Sequence, residues 1–120
     1  MEDMIEITTN LHLHETLNTY VYVVLYAYVP QIETCNILLP ILKSLSVMTP
    51  GVVFIKADFS LSTLQTLKRS LGITRFPTML YATHGDIKEL TIGHDVQSTL
   101  ETIVKWYKTV YTLPRGTSID

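Results

Sequence analysis

The run YVYVVLYAYV, residues 20–29, constrains the fold of this chain more than any other stretch. It is rich in β-branched and aromatic residues and is apolar on both faces, which is typical of a central strand in a sheet covered on both sides. It is too short for a membrane-spanning helix, which needs roughly 20 apolar residues. Pro30 ends the strand, because proline cannot donate to a sheet ladder.

Helical and strand patterns alternate along the rest of the chain. The predicted elements are a strand at 4–9, a helix at 10–18, the central strand at 20–29, a helix at 33–48, a strand at 52–59, a helix at 60–72, a hairpin at 78–92 and a final helix. This β-α-β-α-β-α-β-β-α order predicts an α/β fold with a mixed sheet, helices on both faces and an antiparallel hairpin at its edge.

Helix ends are predicted from capping residues. Asn10 is expected to cap the first helix, Ser60 or Ser62 the third, and Asp95 the last, while Gly72 ends the third. Pro40 lies inside the second helix and should bend it. The buried face of the final helix is predicted to consist of Val96, Leu100, Ile103, Val104 and Tyr107.

Length and charge exclude several classes of function. The 120 residues fit one domain, with a core at about 4–111 and a tail at 112–120 that has little to bury and should be loose. A net charge of −2 argues against binding to nucleic acid or to a membrane surface. The N-terminus lacks the basic start and apolar block of a signal peptide. Together with the sparse cysteine content, this predicts a cytoplasmic protein.

Cys35 is the only cysteine, and it lies in the first turn of a predicted helix directly after the central strand. A single cysteine excludes an internal disulfide and a cysteine-built zinc site, and no Gly-rich phosphate loop is present, so no metal or cofactor is predicted. Two interpretations stay open. Cys35 is either a buried residue that acts as a small hydrophobe, or a reactive thiol at a helix N-terminus.

Several motifs occur in an order that resembles the thioredoxin-like superfamily. Cys35 precedes the helix-bending Pro40 by the spacing that the second cysteine of the Cys-Gly-Pro-Cys motif has in thioredoxins. GITRFPTMLY (72–81) looks like the segment around the family's cis-proline, and HGDIKELTIG (84–93) looks like its last hairpin. The resemblance covers roughly residues 18–110. It implies a thioredoxin-like three-layer sandwich and a cis bond at Pro77.

The departures from the family pattern bear on function. Where thioredoxins have Cys-Gly-Pro-Cys, this chain has IETC (32–35), so Ile32 replaces the nucleophilic cysteine. Tyr26 stands where the family keeps a buried aspartate that assists proton transfer. Disulfide exchange needs an exposed thiolate to attack and a second thiol to resolve the mixed disulfide. The resemblance therefore implies that dithiol disulfide reductase activity is absent and that the chain is not an enzyme of that kind.

A lone cysteine at this position resembles two redox-inactive branches of the superfamily. One is the C-terminal domain of the phosducin-like proteins, which act as co-chaperones; its features are matched by Leu25-Tyr26 and by the GDIK turn at 85–88. The other is the spliceosomal thioredoxin-like proteins, matched by Thr34-Cys35. Both resemblances imply a protein-binding or assembly module.

The resemblance also implies where a partner would bind. The family uses the loop at the helix start, the residue before the cis-proline, and the turn before the last helix. The corresponding residues here are Pro30, Gln31, Ile32, Glu33, Phe76, Pro77, Gly93 and His94. The expected partner is another protein or an extended peptide segment that pairs with the backbone beside Pro77. The alternatives are a monothiol oxidoreductase or redox sensor that uses Cys35, and a homodimer whose interface covers the same residues.

Overall fold

The computed structural model describes residues 4–90 and 96–116. In chain order the elements are β1 (Ile5–Ile7), α1 (Asn10–Thr19), β2 (Tyr22–Tyr28), α2 (Glu33–Met48), β3 (Val52–Asp58), a 3₁₀ turn (Ser62–Leu64), α3 (Gln65–Ser70), β4 (Thr78–Thr83), β5 (Asp86–Leu90) and α4 (Val96–Gly116). This order is the predicted one. The chain divides into two compact units, one ending at Glu89 and one beginning at Leu90.

β2 lies at the centre of a five-stranded mixed sheet with the strand order β1-β3-β2-β4-β5. It runs parallel to β3, with Tyr22 opposite Val52, and antiparallel to β4, with Tyr22 opposite Thr83. The prediction of a central, doubly covered strand is confirmed, since every residue of β2 except Tyr22 is buried.

Alternate residues of β2 face opposite layers of the fold. Val23, Leu25 and Ala27 belong to a core cluster with residues of α1 and α3, including Leu13 and Leu67. Tyr26 points to the other face, where its hydroxyl contacts the backbone of α2. The sheet is therefore covered on both faces, as the apolar character of β2 requires.

α2 has the predicted bounds, Glu33–Met48. Its buried residues follow the helical spacing that brings one stripe onto the sheet: Cys35, Leu38, Leu42 and Leu45. Pro40 lies inside the helix, as predicted, but on the exposed side, so the backbone bond that it removes is not one that faces the core.

Two predicted caps are wrong. Thr9, not Asn10, is the N-cap of α1, and its side-chain oxygen accepts a hydrogen bond of 3.1 Å from the His12 amide. The helical segment at 62–70 has Leu61 as its N-cap, and leucine offers no acceptor. The Ser60 hydroxyl instead donates to Asp58 at 2.6 Å, so it stabilises the preceding turn.

Glycine and histidine close the turns with left-handed backbone. Gly72 ends α3 at φ +70°, which confirms its predicted role as terminator. His84 (φ +53°) and Gly85 (φ +83°) form the hairpin between β4 and β5, and two residues of positive φ match the right-handed twist of the strands. Asp86, predicted to be part of the turn, is the first residue of β5.

α4 differs from its prediction on its buried side. Ile103 is buried as expected, but Trp106 is buried too, while Val104 is 37% exposed. Val104 was therefore wrongly assigned to the buried face. The helix extends to Gly116, into the segment that was predicted to be a loose tail, and the predicted cap Asp95 lies outside the described residues. The prediction of a single domain stays a prediction. None of the described helices is long and apolar enough to cross a membrane.

Candidate functional site

The loop between β2 and α2 is held by three local hydrogen bonds. The Ile32 amide donates to the Val29 carbonyl (3.2 Å), the Cys35 amide donates to the Ile32 carbonyl (3.1 Å), and the Asn36 side chain donates to the Pro30 carbonyl (2.9 Å). Ile32 is the N-cap of α2 and, at 37% exposure, offers an apolar side chain to solvent. Pro30, Gln31 and Glu33 are also exposed, so this part of the predicted surface is accessible.

A second loop, residues 75–77, lies at the same edge of the sheet. β4 begins at Thr78, which pairs with Ala27 near the end of β2, so the loop after β2 and the loop before β4 are neighbours. The Phe76–Pro77 peptide bond is cis, the geometry that the resemblance implies for this position. The structure thus brings Pro30–Glu33 and Phe76–Pro77 to one edge. Gly93 and His94, the remaining predicted residues, lie outside the described part of the chain.

Phe76 is less exposed than a residue of the predicted partner-binding surface should be. Its ring stacks on Phe59 with centroids 5.9 Å apart, and the Lys68 ammonium lies 5.9 Å from its centroid. It also packs against the core cluster formed with α1 and α3, so it is only partly exposed. Ile32 is therefore more exposed than Phe76, which mainly supports the loop through its contacts with Phe59 and the core cluster.

Cys35 is completely buried and is a free cysteine. It belongs to the stripe of α2 that packs on the sheet, and its backbone carbonyl accepts a hydrogen bond of 2.8 Å from the Tyr26 hydroxyl. Because thiol exchange proceeds through an accessible thiolate, this location blocks direct attack by Cys35 on a bound disulfide.

Tyr26, which the resemblance places where thioredoxins have a buried aspartate, is a neutral phenol. Burial raises the pKa of Tyr26 far above its ordinary value of about 10, and the adjacent Cys35 raises it further. The phenol therefore keeps its proton at any physiological pH and acts as a fixed hydrogen-bond donor. Unlike a carboxylate, it cannot take up a proton from a thiol, and so it does not replace the proton-transfer group.

Tyr28 is a second hydrogen-bonded phenol next to Tyr26, and its partner lies on β1. Its ring stacks on that of Tyr26 with centroids 5.8 Å apart and an interplanar angle of 8°. The Tyr28 hydroxyl donates to Glu6 at 3.1 Å, and Lys56 lies 3.7 Å from the other Glu6 oxygen. Burial and then the Glu6 carboxylate raise the pKa of Tyr28 above its ordinary range. Glu6 was not predicted as a partner of Tyr28, although its register opposite Lys56 in a parallel pair could have suggested it.

No metal centre emerges from residues 4–90 and 96–116, because no three side chains of the ligand-forming types His, Cys, Asp and Glu lie together there. The contacts around Cys35 are hydrogen bonds and apolar packing.

Comparisons with known proteins agree with this architecture. Neither a protein-family model nor a curated protein sequence matches the chain. Solved structures do match. Mitochondrial thioredoxin 3 from Saccharomyces cerevisiae, in its oxidized form, is similar with a TM-score of 0.73 and 22% identity over 85% of this chain and 93% of that one. Thioredoxin O2 from Arabidopsis thaliana gives 0.75 and 21%, over 88% and 96%. The oxidised thioredoxin from Plasmodium falciparum gives 0.77 and 17%, over 88% and 99%.

This chain has the thioredoxin-like fold. At these identities the likeness establishes the fold alone. With one cysteine in the whole sequence, the chain has no Cys-x-x-Cys motif, and Ile32 stands three residues before Cys35. The predicted fold class is confirmed.

Proposed function

We propose that this chain is a non-catalytic thioredoxin-like module that binds another protein, or an extended segment of one, during assembly or co-chaperone-like work in the cytoplasm. The binding surface is the sheet edge formed by Pro30–Glu33 and by Phe76–Pro77, and we call it the recognition edge. The observation that carries the proposal is the pair Ile32 and Cys35. An exposed hydrocarbon side chain stands at the helix start, and the one thiol is fully buried behind it.

The character of the recognition edge supports a binding role. Ile32 is exposed beside polar neighbours, Gln31 and Glu33, and this mixture of an apolar centre and a polar rim is typical of protein interfaces. Two hydrogen bonds fix the loop: the Ile32 amide donates to the Val29 carbonyl, and the Asn36 side chain donates to the Pro30 carbonyl. Little conformational entropy is therefore lost when a partner binds. An extended segment could pair with backbone groups beside Pro77 and place one side chain on Ile32.

The experiment that tests this proposal is affinity capture from native extract with matched variants. Ile32→Asp places a charge on the recognition edge without touching the core. Met48→Asp, at the other end of α2 and 72% exposed, is the matched control. We expect proteins recovered by the wild type to be retained by Met48→Asp and reduced at least tenfold by Ile32→Asp, since a buried unpaired charge opposes association. Recovery of the same proteins by both variants would show that the recognition edge is not the binding surface.

The alternative of a monothiol oxidoreductase or redox sensor requires access to Cys35. The rate of Cys35 alkylation in the native chain, compared with the rate in denaturant, separates the two functions. If the chain is a binding module, alkylation of Cys35 in the native chain should be at least a hundredfold slower than in denaturant. A buried thiol reacts only when the structure opens. Fast modification of the native chain near neutral pH would favour the redox alternative. If the chain instead forms a homodimer through the recognition edge, sedimentation analysis should show a dimer for the wild type and a monomer for Ile32→Asp.

A further inference from the structure

A separate cavity of about 240 Å³ lies on the α3 side of the sheet, between the segment after α3 and the strands β4 and β5. Buried Ile73 and Leu80 form part of its lining, together with Thr78. Arg75 and Glu89, whose side chains carry opposite charges, also contribute to the lining. The volume is below the range of roughly 300–1,000 Å³ that drug-sized ligands occupy, so the cavity fits a molecule of amino-acid size rather than a nucleotide.

The wall of the cavity is fixed before any ligand arrives. The Gly72 amide donates to the Arg69 carbonyl and the Ile73 amide to the Lys68 carbonyl, both at 3.1 Å. The buried Thr78 hydroxyl donates to the Arg75 carbonyl at 2.6 Å, which ties the segment 71–75 to β4. A preformed wall reduces the ordering cost of binding.

The two charged side chains at the cavity have opposite signs. In the part of the chain that the structure describes, neither the Arg75 guanidinium nor the Glu89 carboxylate forms an ion pair. A small anion would meet repulsion from Glu89, and a small cation would meet repulsion from Arg75. A molecule that carries a carboxylate and an ammonium group satisfies both, since the guanidinium binds a carboxylate through two parallel hydrogen bonds.

We propose that this cavity binds a small zwitterion of the free amino-acid type. Its carboxylate binds Arg75 and its ammonium group binds Glu89. The site adjoins the recognition edge through the loop 75–77, but its occupancy does not depend on the proposed function.

The test is a titration of the full chain with L-alanine, followed by the NMR shifts of backbone amides. Two control compounds remove one charge each: N-acetyl-L-alanine lacks the ammonium group, and L-alanine amide lacks the carboxylate. We expect saturable shifts at residues 71–75 and at Thr78 with L-alanine. Each control compound should bind at least about tenfold more weakly, the size expected for the loss of a charged hydrogen bond.

Matched variants locate the site. Arg75→Gln and Glu89→Gln each change an exposed side chain and should weaken L-alanine binding about tenfold or more. Lys43→Gln and Glu15→Gln change exposed side chains away from the cavity lining and should bind as the wild type does. Absence of saturable shifts, equal binding of the control compounds, or binding that survives both cavity substitutions would each overturn the proposal.

Discussion

The Tyr26 hydroxyl donates a hydrogen bond of 2.8 Å to the Cys35 carbonyl, and this bond joins the central strand of the sheet to the first turn of α2. Both residues are completely buried. In the family's redox proteins, as the resemblance implies, an acidic side chain near the thiols moves protons. Here the same region is a structural contact between two neutral groups.

Tyr26→Phe should therefore destabilise the fold without exposing new surface. We expect a loss of about 1 kcal/mol in the free energy of unfolding near neutral pH, the usual net contribution of an internal hydrogen bond. Tyr20→Phe, at an exposed position before the same strand, should change it by less than about 0.5 kcal/mol. Urea denaturation of the three proteins measures both values. Equal stability of wild type and Tyr26→Phe would show that the bond contributes nothing.

The pKa of Tyr26 predicts how stability changes in alkali. Its pKa is raised in the folded state, so above the unfolded value of about 10 the unfolded chain loses this proton while the folded chain keeps it. Stability from this group is complete below about pH 10 and decreases as the pH rises further. The free energy of unfolding of the wild type should fall more steeply than that of Tyr26→Phe, by up to about 1.4 kcal/mol per pH unit. Parallel curves for the two proteins between pH 9 and 11 would contradict this assignment.

Ile32→Cys tests whether Ile32 occupies the place of the missing partner thiol. Ile32 is the N-cap of α2 and its carbonyl accepts the Cys35 amide, so a cysteine there has its sulfur within reach of Sγ of Cys35. We expect an internal disulfide after mild oxidation, detected by mass spectrometry as the loss of two hydrogen atoms and by the absence of free thiol.

The control for this disulfide is Ile37→Cys, which is 47% exposed and lies two residues after Cys35 on a different side of α2. It should keep two free thiols within the monomer under the same conditions. If Ile32→Cys also remained a dithiol, the placement of residue 32 opposite Cys35 would be wrong.

Capping of α1 gives a prediction with its control in the next residue. Thr9→Ala removes the acceptor for the His12 amide and should lower the free energy of unfolding by about 1 kcal/mol. Asn10→Ala changes an exposed residue in the first turn and should be nearly neutral. Thermal unfolding of the two variants measures both effects. A larger loss of stability in Asn10→Ala than in Thr9→Ala would show that Asn10 is the N-cap.

Much of the fold was predictable because its signals are local. The apolar run at 20–29 indicated a central strand. The helical spacing of Leu38, Ile41, Leu42 and Leu45, followed by the stop signal TPG at 49–51, indicated the bounds of α2, although Ile41 is only half-buried. Thr9 and Asn10 are both good capping residues, so composition could not decide between them, and the geometry of the entering chain did.

The site was only partly predictable, because its contacts join distant parts of the chain. The stacking of Phe76 on Phe59 and the bond between Tyr28 and Glu6 depend on strand register, which the pattern of one sequence does not give. Burial of Trp106 was missed because the apolar stripe of α4 was traced through Val104 instead. The cavity beside Arg75 and Glu89 likewise brings together a loop and a strand that the sequence alone leaves unrelated.

The most direct test of the central claim is insulin reduction by the purified chain in the presence of dithiothreitol, with Cys35→Ala beside it. The account predicts that wild type, Cys35→Ala and a blank without protein give the same rate, because Cys35 is buried and Ile32 cannot attack a disulfide. Turnover by the wild type that disappears in Cys35→Ala would contradict it.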